Sequence, residues 1–467
     1  MLFLYTLPFL THWPIAARYH MLQKYYPHYR SLLKLAVPLV MTQAGQMTVL
    51  LVDTAMVGHV STTALAAASF ANNIYIVIML FGLGVFLGIT PLVSHARGAN
   101  NDQQAAAIMK NGFALSALLL VGITSIGLSL TGLMPHMGQT EEVLRLSIPY
   151  YRMLVISTIP FLLFTLLKQI GEGLSNTIMA MAATITANLI NVVLNYLLIF
   201  GKLGFPRFGL MGAGYATLIA RIAMPLLLYA GFSTYKPIRH YFSLMHTAKA
   251  TLRGVQNIFS VGLPIATQLI LEVLAFSFSA VMMGWLGDVP LAANQVAMNL
   301  ATFTFMIANG VAMATTIRVS FQLGSRDFES MERVCYSAVH LVLGYMGMCG
   351  LGFFLLRHQL PHIFTTDMRV VDQTASLLMI AAMFQLFDGL QIVCLGILRG
   401  FADVKAPMLF SGFSYIVVGV AVSYVCAFAL KMGPVGIWYG FVAGLISAGT
   451  LLSLRIRKKI RESEAIA

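Results

Sequence analysis

The sequence predicts an all-α integral membrane protein whose twelve transmembrane helices form two six-helix lobes around a central cavity. Of its 467 residues, 58% are hydrophobic and only 10% are charged, whereas a soluble domain carries about 25% charged residues. Twelve apolar runs are long enough to cross a hydrocarbon core of about 30 Å. Prolines and glycines also recur in the same order in the two halves of the chain. The low charge excludes a water-soluble enzyme.

The apolar runs set the predicted organisation of the chain. A connection without a span, 233–257, separates the sixth span from the seventh and is predicted to be a cytoplasmic inter-lobe loop. The N-lobe is predicted at 34–232 and the C-lobe at 258–454, with a basic lead at 1–33 and a basic tail at 455–467. The predicted spans are 34–57, 65–92, 112–134, 148–169, 179–200, 211–232, 258–283, 291–317, 336–356, 374–396, 408–430 and 435–454.

The basic residues predict the orientation in the membrane. With the N-terminus inside, 21 of the 29 Lys and Arg residues fall on the cytoplasmic side and 7 on the outside, and Arg221 falls within span six. Cytoplasmic loops carry such an excess of basic residues. We therefore expect both termini to be cytoplasmic in a multi-pass protein of the inner membrane. The net charge of +13 is explained by this bias, and no nucleic-acid partner is expected.

The N-terminal residues and the cysteines point to no further feature. Residues 1–20 lack a basic n-region and a small-residue cleavage site, so a signal peptide is not expected. One hypothesis is that translation begins at Met21. The four cysteines show no CxxC spacing, so neither a disulfide framework nor a metal site is predicted.

The two halves form an internal repeat. A shift of 226 positions places Pro38 on Pro264 and Gly84 on Gly310 without a gap. Because six spans is an even number, the second half enters the membrane from the same side as the first, and the repeats are parallel. Such repeats are typical of transporters. Each of the two prolines marks either a bend that changes during transport or a static kink.

Apart from the basic residues counted above on the two sides of the membrane, four charged residues fall within predicted spans. Asp53, Glu272 and Asp388 lie in spans one, seven and ten, where a charge costs about 2.5–3.5 kcal/mol at the helix centre. A buried carboxyl group binds a proton or a small cation; the alternative is a carboxylate held by a structural hydrogen bond. Arg221 either pairs with an N-half carboxylate or extends along its helix towards the membrane surface.

Three further residues are candidates to support these charges. Asn191 and Asn195 share one face of span five, and we expect both amides to point at a polar site near Asp53. Their alternative role is hydrogen bonding between helices without an ion. Phe384 lies one turn before Asp388 and offers either a ring face to a cation or ordinary packing.

Signatures of enzymes and metal sites are missing from the sequence. There is no HExxH, GxSxG, P-loop or DDxxD motif. His358 and His362 have the spacing of metal ligands, but Pro361 interrupts the helix between them. A membrane enzyme would have to use Glu272 and Asp388 as a reactive dyad without a nucleophile. We therefore expect no enzyme, no cofactor and no metal beyond a coupling Na⁺.

The chain resembles the multidrug and toxic compound extrusion (MATE) transporters, and within them the NorM-like branch, over residues 31–454. The segments that carry the resemblance in the first half are LLVDTAMVGHVSTTALAAAS, NVVLNYLLIFG and GLMGAGYAT. In the second half they are QLILEVLAFSFSAVMMGWLG, LAANQVAMN and LFDGLQIVCLGILRGFADVKAPM.

The resemblance implies a transporter that exports cationic amphiphilic compounds in exchange for Na⁺ or H⁺. In its terms, Asp53, Asn191 and Asn195 match an N-lobe polar site, and Glu272 and Asp388 match a C-lobe cation site. Phe384 stands where sodium-coupled relatives carry a tyrosine, which leaves the coupling ion open. The expected partners are small cationic drug-like substrates and membrane lipids, and the expected state is a monomer.

Two other transporter types were weighed against this interpretation. A flippase-like exporter of a lipid-linked or amphipathic metabolite often lines its cavity with several basic residues, and here only Arg221 lies mid-span. A major-facilitator transporter would carry a GxxxDRxGRR-like signal between spans two and three, where this chain reads SHARGANNDQQ.

Overall fold

The computed structural model describes residues 15–465, with side chains from residue 25 onwards. Twelve helices in this part of the chain are long and apolar enough to cross a membrane. Each predicted span overlaps one of them, so the predicted number is confirmed. The described residues form helices, turns and loops without a β-strand. The hypothesis that translation begins at Met21 falls on residues whose side chains lie outside the described part of the chain.

From residue 15 onwards, the first half of the chain forms seven long helices or helix pieces and one short connecting helix. α2 and α3 make up one span that is interrupted at Gly88, whose N–H bonds to the Val85 carbonyl at 3.3 Å. A Cβ at Gly88 would lie 2.9 Å from the backbone N of Gly262, so the interruption occurs where another helix approaches closely. The helices are α1 (Ile15–Gly58), α2 (Thr62–Leu87), α3 (Ile89–Gly98), α4 (Asp102–Leu130), α5 (Glu141–Gly173), α6 (Ile178–Phe200), α7 (Leu210–Thr234) and α8 (Lys236–Thr247).

The second half of the chain again forms six spans. The eleventh span of the chain has an unusual helical geometry. That span, Lys405–Ala429, contains π-helical turns at Phe413–Val420 and Val425–Ala429. Ser423 donates from Oγ to the Ile437 carbonyl at 2.9 Å, which ties this region to the last helix. The helices are α9 (Leu252–Trp285), α10 (Asp288–Gly324), α11 (Phe328–Leu355), α12 (Met368–Gly400), α13 (Lys405–Gly412), α14 (Ala421–Tyr424) and α15 (Pro434–Glu464).

The internal repeat is visible in the backbone. Asn100 and Arg326, 226 positions apart, both have positive φ, at 52° and 57°. The residue after each caps the following helix: Asn101 accepts from the Gln104 N–H at 2.9 Å and Asp327 from the Ser330 N–H at 3.0 Å. The side chain of an N-cap residue satisfies a free N–H of the first turn. The repeat therefore extends from the sequence to the way in which equivalent helices begin.

The chain forms two contact units that exchange the beginnings of two helices. One unit is Met41–Ala266, and the other joins the chain up to Val40 with Thr267–Ala467. A Cβ on Gly84 would collide with Cα of Ala266, and one on Gly310 with the side chain of Val40. Since both pairs obey the 226-residue shift, the exchange follows the repeat. The lobe boundaries 34–232 and 258–454 remain a prediction about the sequence halves.

The short helix α8 belongs to the predicted inter-lobe loop and lies against α4. Tyr241 donates its hydroxyl to Asp102 Oδ1 at 2.8 Å, and His240 Nε2 lies 3.5 Å from Oδ2 of the same carboxylate. Burial and the bond to Asp102 raise the pKa of Tyr241 to about 12. The hydroxyl therefore remains a donor at neutral pH and holds α8 in place.

Candidate cation and substrate sites

The unit Met41–Ala266 brings together Asp53, Asn191 and Asn195. Asn195 donates from Nδ2 to the Asp53 carboxylate on α1 and to Asn191 Oδ1 at 3.1 Å, one turn earlier on α6. Both asparagines are buried, and Asp53 is partly exposed. Asn195 Oδ1 is buried without a hydrogen-bond partner among the described residues. The carboxylate thus has amide support on one side and accessible space on the other.

Arg221 on α7 occupies an aromatic and hydroxyl-lined position in the same unit. Its Nη1 donates to Tyr75 Oη at 2.6 Å and to Ser157 Oγ at 2.8 Å. The guanidinium carbon lies 5.3 Å from the centroid of the Tyr75 ring and 5.0 Å from that of Phe161, within range for cation–π attraction. Arg221 is therefore held by neutral partners.

The charges of Arg221 and Asp53 interact at a distance. They attract each other, and both act on the buried hydroxyl of Tyr150. Arg221 forms no ion pair within 4.0 Å with a carboxylate in the described part of the chain. Of the two roles predicted for Arg221, pairing with an N-half carboxylate occurs only as this longer-range attraction.

The other unit brings together Glu272 on α9 and Asp388 on α12. Their charges lie near enough to interact, and both act on Tyr415. Asp388 is 4% exposed and Glu272 is partly exposed. Two like charges in a medium of low dielectric repel strongly unless a cation or proton lies between them. The arrangement therefore suits a monovalent cation or a proton.

Several buried polar atoms beside Asp388 have no protein partner. Gln385 and Gln391 lie three residues before and three after Asp388, on the same side of α12. Oε1 of Gln385, both side-chain polar atoms of Gln391 and the hydroxyl of Tyr415 lack hydrogen-bond partners in the described chain. Because a buried polar group without a partner costs free energy, the oxygens are suited to bind water or a cation, and the Gln391 amide nitrogen is suited to donate to water.

A profile of the MatE family matches residues 38–197 and 264–425. The chain belongs to the MatE family. The two matched segments begin 226 positions apart, as the repeat requires. The predicted resemblance is thereby confirmed, and the family is one of multidrug efflux transporters.

Relatives match the MatE chain over nearly its whole length. It is 31% identical to the probable multidrug resistance protein NorM of Mannheimia succiniciproducens, over 97% of each chain. It is also 31% identical to the multidrug resistance protein MdtK of Edwardsiella ictaluri, over 93% of this chain and 96% of that one. Among solved structures, a variant of the Vibrio cholerae MATE transporter VcmN has a TM-score of 0.87 at 18% identity, covering 94% of this chain and 98% of that one. These matches support an all-helical, multi-pass membrane transporter.

Phe384 lies in an aromatic cluster of this MatE protein. Its ring is 2% exposed and packs 5.5 Å from the ring of Trp438 and 6.2 Å from that of Phe441, centroid to centroid. Trp438 is fixed by donating from Nε1 to Asn294 Oδ1 at 3.0 Å. Phe384 and Tyr415 also line one small cavity with Phe276. Phe384 thus packs among aromatic rings, and its proposed contact with a cation remains a prediction.

Arg399 is the main site residue that the sequence analysis missed. Its predicted span ends at residue 396, which assigned Arg399 to the cytoplasmic side, but α12 continues to Gly400 and buries the side chain to 8% exposure. Its Nη2 donates to Gln268 Oε1 at 3.3 Å, and its charge attracts Glu272. The apolar run before Arg399 could have indicated its burial, because the run continues the helix as far as Gly400.

Lys168 and Glu172 add a second correction to the predicted set of intramembrane charges. They lie near the end of α5, as expected for helix-end residues, yet both are buried, at 8% and 1% exposure. Lys168 Nζ lies 3.7 Å from Glu172 Oε1. The spacing of four residues on one helix face predicts such a pair.

Within the described chain, no three His, Cys, Asp or Glu residues are grouped as a metal site.

Proposed function

We propose that the protein is a secondary active antiporter that exports cationic amphiphilic compounds in exchange for Na⁺ or H⁺. The proposal places it in the inner membrane as a monomer with both termini in the cytoplasm. The observation that carries it is the convergence of Glu272 and Asp388 from α9 and α12 in one unit. Together with the single buried Arg399, the pair leaves one formal negative charge in excess. An excess negative charge inside the membrane attracts either a coupling cation or a cationic substrate.

Antiport results because the coupling ion and the cationic substrate compete for this negative charge. A proton or Na⁺ at Glu272 and Asp388 neutralises the site and releases a cationic substrate, whereas the substrate displaces the ion. A ligand shifts a conformational equilibrium only when it binds one state better than the other. An inward-moving ion contributes about 2.3 kcal/mol per charge per 100 mV, which drives the export of substrate against its gradient.

Asp53 is the third proposed coupling carboxylate. Asn195 donates to its carboxylate, and Asn191 accepts from the same Asn195 amide; the two asparagines would support an ion bound at Asp53. Phe384 supports Asp388 from one turn earlier on α12. We assign Asn191, Asn195 and Phe384 to the supporting polar and substrate site.

The proposal is tested by counterflow in proteoliposomes that contain the purified protein. An inward Na⁺ gradient and an inward H⁺ gradient are imposed separately, and ethidium movement is recorded. We expect one of the two gradients to drive ethidium in the opposite direction. Protein-free liposomes serve as the control for leakage. Ethidium movement that is insensitive to both gradients would overturn the antiport proposal.

A further inference from the structure

We propose that Arg221 forms an anion subsite that receives the carboxylate of zwitterionic substrates while Asp53 receives their cationic group. This inference rests on the proposed efflux function and extends its substrate class. All the residues concerned lie within the unit Met41–Ala266.

One side of the Arg221 guanidinium is fixed by the protein. Both of its hydrogen bonds, to Tyr75 and Ser157, come from Nη1. Tyr75 is itself fixed, because Thr158 donates from Oγ1 to its hydroxyl at 3.1 Å. The Tyr75 and Phe161 rings restrict the guanidinium further. The group is therefore oriented before any ligand arrives, which lowers the entropic cost of binding.

The other edge of the guanidinium is not used by the protein. Nε and Nη2 donate to no acceptor in the described chain, and neither is enclosed as a buried atom without a partner. Arg221 is also partly exposed. Two N–H groups on one edge of a guanidinium match the two oxygens of a carboxylate. The free edge of Arg221 has the geometry that a carboxylate requires.

Arg399 shows what an arginine with a structural role looks like in the same chain. It is buried, it donates to Gln268, and its Nε is enclosed without a partner. Arg221 differs because it is partly exposed and its remaining donors are not enclosed. Its neutral partners supply no opposite charge, so the cost of a charge within a span is only partly offset by the longer-range attraction of Asp53. An anionic ligand group would supply the missing charge.

Asp53 gives the site its second pole. Its carboxylate accepts from Asn195 and attracts Arg221 without forming an ion pair with it. Opposite charges that are near but not in contact match a molecule that carries both signs. A purely cationic compound is attracted by Asp53 and repelled by Arg221, whereas a zwitterion satisfies both residues.

The test compares norfloxacin, a zwitterion, with its ethyl ester, which keeps the amine and lacks the carboxylate. Counterflow of both compounds and of ethidium is measured for the wild type, Arg221→Gln, Arg221→Lys and the exposed control Arg145→Gln. Arg221→Gln is expected to reduce norfloxacin transport on the order of tenfold, the effect of one lost charge-assisted hydrogen bond. Ester and ethidium transport should be unchanged or increased, and Arg221→Lys should recover part of the norfloxacin transport.

The unmutated protein provides a second readout that does not depend on folding of a variant. The wild type is expected to prefer norfloxacin to the ester in direct competition. An equal loss of all three compounds in Arg221→Gln would assign Arg221 a structural role, and a wild-type preference for the ester would reject the subsite. Gradient-driven ethidium transport by the wild type, measured alongside, tests the antiporter proposal separately from this one.

Discussion

The two contact units share a backbone plan but differ in the charges that they place inside the membrane. Met41–Ala266 holds one accessible carboxylate, Asp53, and one accessible arginine, Arg221, whose formal charges cancel. The other unit holds Glu272 and Asp388 against buried Arg399, which leaves one negative charge. The repeat therefore preserves helix starts and close contacts while the polar residues diverge. The unit that contains Asp388 therefore attracts a cation more strongly than the other unit does.

Equivalent positions show how the divergence arises. Gly173 and Gly400 are equivalent once one residue is added to the shift, because a Cβ on each would meet a valine, Val93 or Val319, and these valines are 226 positions apart. The residue before each glycine is Glu172 in one unit and Arg399 in the other. Twelve residues before these glycines lie Phe161, which packs on the Arg221 guanidinium, and Asp388. The same place on the repeat thus carries an aromatic partner for a cation in one unit and a carboxylate in the other.

The largest expected effect comes from removing the excess negative charge. Asp388→Asn or Glu272→Gln is expected to abolish gradient-driven ethidium efflux, because neither a coupling ion nor a cationic substrate then finds a net negative site. Resistance of cells that express each variant and counterflow by the purified protein are the measurements. Asp372→Asn, an exposed change near the start of the same helix α12, is the matched control. Full resistance in both carboxylate variants would remove the assignment.

A smaller effect is expected in the balanced unit. Asp53→Asn leaves Arg221 without its opposite charge, so ethidium transport should fall severalfold through repulsion. The double variant Asp53→Asn, Arg221→Gln removes both charges and should recover part of the loss. A double-mutant cycle on initial transport rates measures the coupling between the two residues. Strictly additive losses would show that the two charges act independently.

The smallest expected effect concerns the backbone plan that the units share. Gly84→Ala places a Cβ against the Ala266 backbone and should destabilise the protein by about 1–3 kcal/mol through overpacking. Gly344→Ala, where nothing lies within 4 Å of the new Cβ, is the control and should be neutral or slightly stabilising. Thermal unfolding of the purified variants in detergent measures the difference. Equal melting temperatures would contradict the close contact between α2 and α9.

The sequence was sufficient for those features that depend on composition and periodicity. Twelve spans, the repeat and the family were predictable because apolar length and the spacing of Pro and Gly are local properties of the chain. The grouping of Asp53 with Asn191 and Asn195 was also predictable, since two amides four residues apart share a helix face. Phe384 was placed one turn from Asp388, but its neighbours were not predictable from spacing.

The remainder depends on tertiary packing. The burial of Arg399 follows from where α12 ends against its neighbours, which hydropathy does not show. The exchange of helix beginnings at Val40 and Ala266 depends on which glycines the two helices meet. The partners of Arg221 come from α2 and α5, far away in the chain, so the sequence left its role open between two alternatives.

Ion-driven ethidium counterflow in two matched variants tests the central claim most directly, namely that coupling depends on the carboxylate pair. The variants are Glu272→Gln and the double variant Asp53→Asn, Arg221→Gln, each reconstituted at equal density. We predict that the double variant, which loses one of the three proposed coupling carboxylates but keeps the pair, retains part of the stimulation by the coupling-ion gradient, while Glu272→Gln loses it. The reverse result, gradient stimulation kept in Glu272→Gln and lost in the double variant, would contradict the account.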